Sequence, residues 1–324
     1  MKNTFGNVHF WINTKKVFLL LLTIAIIATS GCMEENSSDE QEKITVVVSI
    51  LPQAEFVEKV GGEHVETIVM IPPGASPATY EPTSSQLKEL SKAGIYVKVG
   101  SGLPFEKVWL EKIKDLNEDM LLVNSSKGID LRPMGEKEEH HHSSEGEEHH
   151  HSSEEEDHHH SSEGMDPHVW NDPNNAIIMV DNIYKALIEV DPSNKETYTQ
   201  NRDSYTEELK SLDRQIKETL ENKSGDSFMV YHPAWGYFAE RYDLNMVPIE
   251  TEGKEASARQ LSEIITFAKQ ENITVIFVQA QFSTQSAETV AEEIDGKVVK
   301  VDPLARNYTD NMYKVSEAFS EGLK

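Results

Sequence analysis

The 324-residue chain has one cysteine, Cys32. A single thiol excludes an internal disulfide framework and any paired-cysteine zinc site. Basic residues are also scarce. Thirty Lys and Arg stand against 56 Asp and Glu, for a net charge of −26. Such a surface repels nucleic-acid phosphate and argues against nucleic acid as a partner. No HExxH signature is present, which leaves a zinc hydrolase without its usual helix-borne ligands and base. The apolar run at 17–28 is too short to read as a membrane-spanning helix.

That run has another meaning. Lys15 and Lys16 precede it, and Thr29-Ser30-Gly31-Cys32 follows. A basic start, a short apolar stretch and small residues at the cut describe a secretory signal peptide over 1–31. Gly-Cys at its end resembles a lipobox, in which Cys32 is lipidated and becomes the mature N-terminus. Thr29 stands where the bacterial pattern prefers leucine, and an uncleaved N-terminal anchor is the alternative. Both readings put the rest of the chain outside the cytoplasmic membrane. Residues 32–43 are polar and acidic, without apolar period, and read as a tether.

Apolar strands and amphipathic helices then alternate. Strands are expected at 44–50, 65–71, 95–99 and 120–123, with helices at 84–92, 104–116 and 173–190. A second series has strands at 228–231, 246–249, 275–279 and 298–301, and helices at 234–242, 258–272, 286–294 and 309–323. Between the two series lies a long helical pattern at 193–222, spanning roughly 45 Å at 1.5 Å per residue. The expected class is α/β: two lobes, each a mostly parallel β-sheet flanked by helices, joined by a long backbone helix. The expected boundaries are 44–190 for the first lobe, 191–223 for the linking helix and 224–324 for the second lobe.

A period-nine repeat interrupts the first lobe: HHHSSEGEE, HHHSSEEED, HHHSSEGMD. The segment 134–165 has almost no apolar surface to offset its ordering entropy and reads as a disordered insertion. It holds nine of the thirteen histidines: His140, His141, His142, His149, His150, His151, His158, His159 and His160. Imidazole triplets beside carboxylates form a low-affinity metal loop without fixed geometry. An inert solubilising loop is the blander reading.

Of the other histidines, His9 falls in the signal region and His64 in a turn before a strand. His168, in Asp166-Pro167-His168-Val169-Trp170, lies where the insertion rejoins the first lobe. His232 and Asp302 each follow an apolar strand and precede a proline. Ligands of open α/β sheets bind outside the carboxyl ends of strands. Two imidazoles and a carboxylate suit tetrahedral Zn²⁺ with one place open. Singly, each also reads as a satisfied core histidine or a capping aspartate.

Several segments together resemble the solute-binding proteins of zinc and manganese ABC transporters. They are GGEHV (61–65), PPGASPATYEPTSSQ (72–86), MDPHVWNDP (165–173), YHPAWGYFA (231–239), QAQFSTQSAETVAEEI (279–294) and VDPLARNYTDNM (301–312). The resemblance covers almost everything after the tether, and the histidine-rich insertion matches the zinc members. It implies two rigidly joined α/β lobes and carries the ligand roles to His168, His232 and Asp302. It implies Zn²⁺ as the transported ion with Mn²⁺ as runner-up, a membrane permease as partner, a lipid-anchored monomer and no enzymatic activity. A stand-alone zinc buffer or chaperone is the competing function. One position departs from the family: its first-lobe loop carries a histidine ligand where this chain has Ala78. A water, His160 or His158 from the insertion, or Glu81 is expected to take that place.

Overall fold

The computed structural model describes residues 43–134, 164–250, 256–282 and 285–323. The signal peptide, Cys32, most of the tether and the nine histidines of the repeat lie outside the described residues.

The first sheet is built from β1 (Ile44–Val48), β2 (Val65–Val69), β3 (Ile95–Lys98) and β4 (Leu121–Asn124), in the order β2-β1-β3-β4. Every pairing is parallel, with Ile44 opposite Val65, Val46 opposite Ile95, and Ile95 opposite Leu121. A parallel sheet needs cover on both faces. Three consecutive valines of β1, Val46 to Val48, are accordingly all buried. The cover comes from α1 (Leu51–Gly61), α2 (Ser84–Leu90), α3 (Pro104–Leu116) and α4 (Pro173–Val190). Starts are marked chemically: Pro52, Pro104 and Pro173 stand in first turns, where a missing N–H costs nothing. Thr83 and Gln86 close a capping box on α2.

The second sheet repeats the topology. Its strands are β5 (Ser227–Val230), β6 (Asn245–Pro248), β7 (Val275–Val278) and β8 (Lys297–Lys300), all parallel in the order β6-β5-β7-β8. Its helices are α6 (Gly236–Arg241), α7 (Ala258–Glu271), α8 (Gln285–Glu293) and α9 (Tyr308–Gly322). Both sheets are wholly parallel.

Between them runs α5 (Lys195–Thr219), 25 residues or about 37 Å. It is shorter than the helical pattern suggests. Pro192–Asn194 form a separate 3-10 turn. The Asp191 carboxylate gathers the turn by accepting from Ser193, from Asn194 at 2.6 Å and from Tyr198 at 2.7 Å. The inward face of α5 carries Tyr198, Tyr205, Leu209, Leu212 and Ile216, all buried. That face belongs to one apolar core running from β1 and β3 through α4 and α5 to Phe228, Phe277 and Phe319 of the second lobe. A second, smaller core covers the other face of the second sheet, using the alternate residues Met229, Tyr231, Ile276 and Val278. The two lobes therefore share a core and are not separate bodies on a hinge.

Candidate metal centre

The strand order reverses direction between β1 and β3 in one sheet and between β5 and β7 in the other. The crevice outside the carboxyl ends of such strands is where an open α/β sheet binds ligands. All four loops at that edge of the second sheet carry polar residues: His232 after β5, Glu250 after β6, Gln279 and Gln281 after β7, and Asp302 after β8. At the same edge of the first sheet lie Ser49 after β1, the 70–83 loop after β2, Ser101 after β3, and the segment through Arg132 that leads to the insertion after β4. The strands end earlier than their apolar runs, so His232 and Asp302 sit in loops two residues beyond β5 and β8.

His168 and His232 meet from opposite lobes. Their ring centroids are 5.3 Å apart with planes at 78°. Each imidazole is held by a carboxylate at Nδ1. For His168 the partner is Asp166, 2.7 Å away, whose same oxygen also accepts the His168 backbone N–H at 3.0 Å. For His232 it is Glu250, at 3.2 and 3.3 Å. With Nδ1 engaged as donor, Nε2 of each ring is left as the acceptor for a metal, the usual outer arrangement of metal-binding histidines. Asp166 is 1% exposed and Glu250 3%. Burial pushes the Asp166 carboxyl up, but hydrogen bonds and charge from His168, with Arg132 behind them, outweigh it and hold the pKa below the carboxylate norm. Burial lowers the His232 pKa below 6.5, against the opposing pull of Glu250.

Asp166 is fixed from several sides. Arg132 pairs with its second oxygen at 3.1 Å. The Tyr237 hydroxyl donates to its carbonyl at 3.2 Å and accepts the Arg132 N–H at 3.0 Å. Gly236 lets this happen: a Cβ there would collide with the Arg132 guanidinium. The two ends of the insertion are zipped here. Pro133 bridges Met165, Met134 N–H donates to the Gly164 carbonyl, and Asp166 N–H donates to the Arg132 carbonyl, the last two at 2.8 Å. The root of the histidine insertion thus ends against the partner of His168.

Residues 169–171 cross to the second lobe. Trp170 is buried and donates Nε1–H to the Pro303 carbonyl at 2.7 Å, while Tyr308 donates to the Trp170 carbonyl at 2.7 Å. Asn171 donates to the Ala234 carbonyl at 2.8 Å. One short segment next to His168 thereby grips the loops that carry His232 and Asp302. On the first-lobe side, the Ser101 hydroxyl donates to the Pro167 carbonyl at 2.6 Å.

Of the three predicted ligands, the structure brings two together. Asp302 accepts Leu304 N–H at 2.9 Å and the Gln281 amide at 3.3 Å. Among the described residues no group of three or more His, Cys, Asp or Glu stands close enough to hold one ion. Ala78 and Glu81 both lie exposed on the loop after β2. His64 stands half-buried in a 3-10 turn against Tyr198, away from this edge. Glu250 escaped the sequence reading, although it follows an apolar strand as Asp302 does. Asp166 was legible as part of its motif but not as the partner of His168. With neutral imidazoles, the Asp166 and Glu250 carboxylates beside the pair, with Asp302 on the loop after β8, stand against Arg132, a balance that attracts a cation.

A family model described as zinc-uptake complex component A, periplasmic, matches residues 46–322. The chain belongs to that family. It is 31% identical over 294 residues to the high-affinity zinc uptake system protein ZnuA of Bacillus subtilis, covering 89% of this chain and 88% of that one. It is 28% identical over 311 residues to the zinc-binding lipoprotein AdcA of Streptococcus pneumoniae, covering 94% of this chain. The match spans only 58% of AdcA, which is the longer protein. Among solved structures, a ZnuA deletion mutant with zinc bound superposes with a TM-score of 0.76 at 36% identity, over 87% of this chain and 98% of the other. The two-lobed fold with paired parallel sheets is the family fold.

Proposed function

We propose that this chain is the extracytoplasmic solute-binding component of a zinc-uptake ABC transporter, taking Zn²⁺ at His168 and His232 and delivering it to a permease. The observation that carries the reading is the pair of facing imidazoles, one from each lobe, each with Nδ1 on a buried carboxylate and Nε2 available. Two nitrogen donors favour Zn²⁺ over harder ions. Asp302 supplies the third ligand through Oδ2, since Leu304 and Gln281 both engage its Oδ1. Binding alone serves this role, and no general base is needed. The zinc-named relatives and the zinc-bound neighbour support the same ion.

Lipidation at Cys32, a monomeric state and collection of zinc by the nine-histidine insertion are parts of the same proposal. No helix among the described residues is long and apolar enough to cross a membrane. Manganese is the second reading, favoured by the carboxylates around the imidazoles. Were Glu250 to turn from His232 to the ion, the site would hold two nitrogens and two oxygens, closer to a Mn²⁺ shell.

Zn²⁺ and Mn²⁺ titrations of the mature protein, with and without residues 136–164, test this. The expected result is one tight zinc site that survives the deletion, with weaker manganese binding. Loss of all tight binding on deletion would overturn the core site. Tight manganese with weak zinc would overturn the choice of ion.

A further inference from the structure

The segment after β7 touches both second-lobe candidate ligands within four residues. Gln279 donates to the His232 backbone carbonyl at 2.9 Å. The Phe282 ring stacks on the His232 imidazole, centroids 4.7 Å apart at 23°. Between them, the Gln281 amide nitrogen donates to Asp302 at 3.3 Å. Gln281 therefore lies within the short segment that contacts both His232 and Asp302.

The contact with Asp302 also orients the amide. A carboxylate oxygen only accepts, so nitrogen faces Asp302 and Oε1 faces elsewhere. That oxygen is buried and meets no donor among the described residues. A buried carbonyl oxygen left without a donor is unfavourable and calls for a reason. Side-chain amides satisfy the oxygen equally well by coordinating a cation. Gln279 also has an unpartnered oxygen, but its amide touches only backbone, whereas that of Gln281 touches a predicted ligand.

We propose that Gln281 Oε1 is the fourth protein ligand of the ion, filling by a different loop the place that Ala78 leaves open. The proposal rests on the two-lobe site above. In it, His168, His232, Asp302 and Gln281 complete a four-coordinate shell. The amide oxygen adds a hard donor without adding charge, which narrows the preference for zinc over manganese.

The test is a competition titration of Zn²⁺ against a chromophoric chelator, using the full chain and the variants Gln281→Ala, Gln281→Glu and His168→Ala. Gln281→Ala should weaken zinc binding at least about tenfold, while the zinc-free melting temperature stays at the wild-type value. Gln281→Glu should match or exceed wild-type affinity, because its carboxylate oxygen also coordinates. If Gln281 served only as a donor to Asp302, Gln281→Glu would set two carboxylates against each other and bind no better than Gln281→Ala, and that result overturns the proposal. Unchanged affinity in Gln281→Ala overturns it as well. His168→Ala separates the two failures. Its expected loss of tight binding keeps the two-lobe site in place whatever Gln281 does, whereas tight binding that survives it removes the site on which the proposal stands.

Discussion

Among single side chains, the two imidazoles are held by the same device from different lobes, and each holder can be removed. Replacing Asp166 or Glu250 with alanine frees a ring to rotate and removes the acceptor that keeps Nδ1 protonated. Zinc affinity should fall about 10- to 100-fold in each variant, measured by chelator competition. Ala78→His restores the donor that the family resemblance places there. In the Gln281→Ala background affinity should rise, and an unchanged value would mean that the loop after β2 does not face the ion. His232 also sets a pH dependence. Its folded-state pKa lies below 6.5, burial being the main cause. As pH falls through 6.5 the unfolded chain takes up the proton first, so the metal-free fold loses stability from there down to the lowered value and is unaffected above about pH 7.5. Urea midpoints of chelator-treated protein between about pH 7.5 and pH 5 measure this. His232 was legible because it follows an apolar strand and precedes a proline, and His168 because it follows a proline where the insertion rejoins the first lobe. Glu250 was hidden in an acid-rich sequence, where one carboxylate of 56 carries no mark until its burial is known. The glutamines were hidden because a neutral amide belongs to no ligand pattern.

In terms of elements, the apolar and amphipathic periods named the strands and most of the helices described here, because the central parallel strands, buried on both faces, are continuous apolar runs. Their ends were less legible. Helix α6 begins at Gly236 although the pattern starts at Ala234, since the backbone over 232–235 is spent on the loop that presents His232. Helix α9 shows a connection that no local pattern encodes. Its first turn is capped by Glu55 of α1, which accepts Tyr308 N–H at 2.6 Å, the Thr309 hydroxyl at 2.8 Å and the Tyr205 hydroxyl of α5 at 2.9 Å. One carboxylate thus ties three helices across the lobe boundary, six residues from Asp302. Glu55→Ala should cost about 1–3 kcal/mol in urea unfolding, because it strands donors at a helix start. A loss near zero would mean that solvent replaces the cap without penalty.

For the whole molecule, the shared core decides how the protein can move. The apolar cluster is continuous from β1 through α5 to Phe319, and Trp170, Tyr308 and Asn171 bolt the crossing beside the site. Hinged closure would have to break that packing, so the ion should be taken up by loop movement alone. The radius of gyration from small-angle scattering should change by less than about 1 Å on adding zinc. A larger contraction would contradict a common core. Where the ion sits decides whether the two lobes share one site. Zinc-edge anomalous diffraction from crystals of the loaded protein locates it directly. The predicted result is one strong peak between the lobes, about 2.0–2.2 Å from Nε2 of both His168 and His232, with Asp302 drawn into the same shell. A peak that touches neither imidazole would contradict the account.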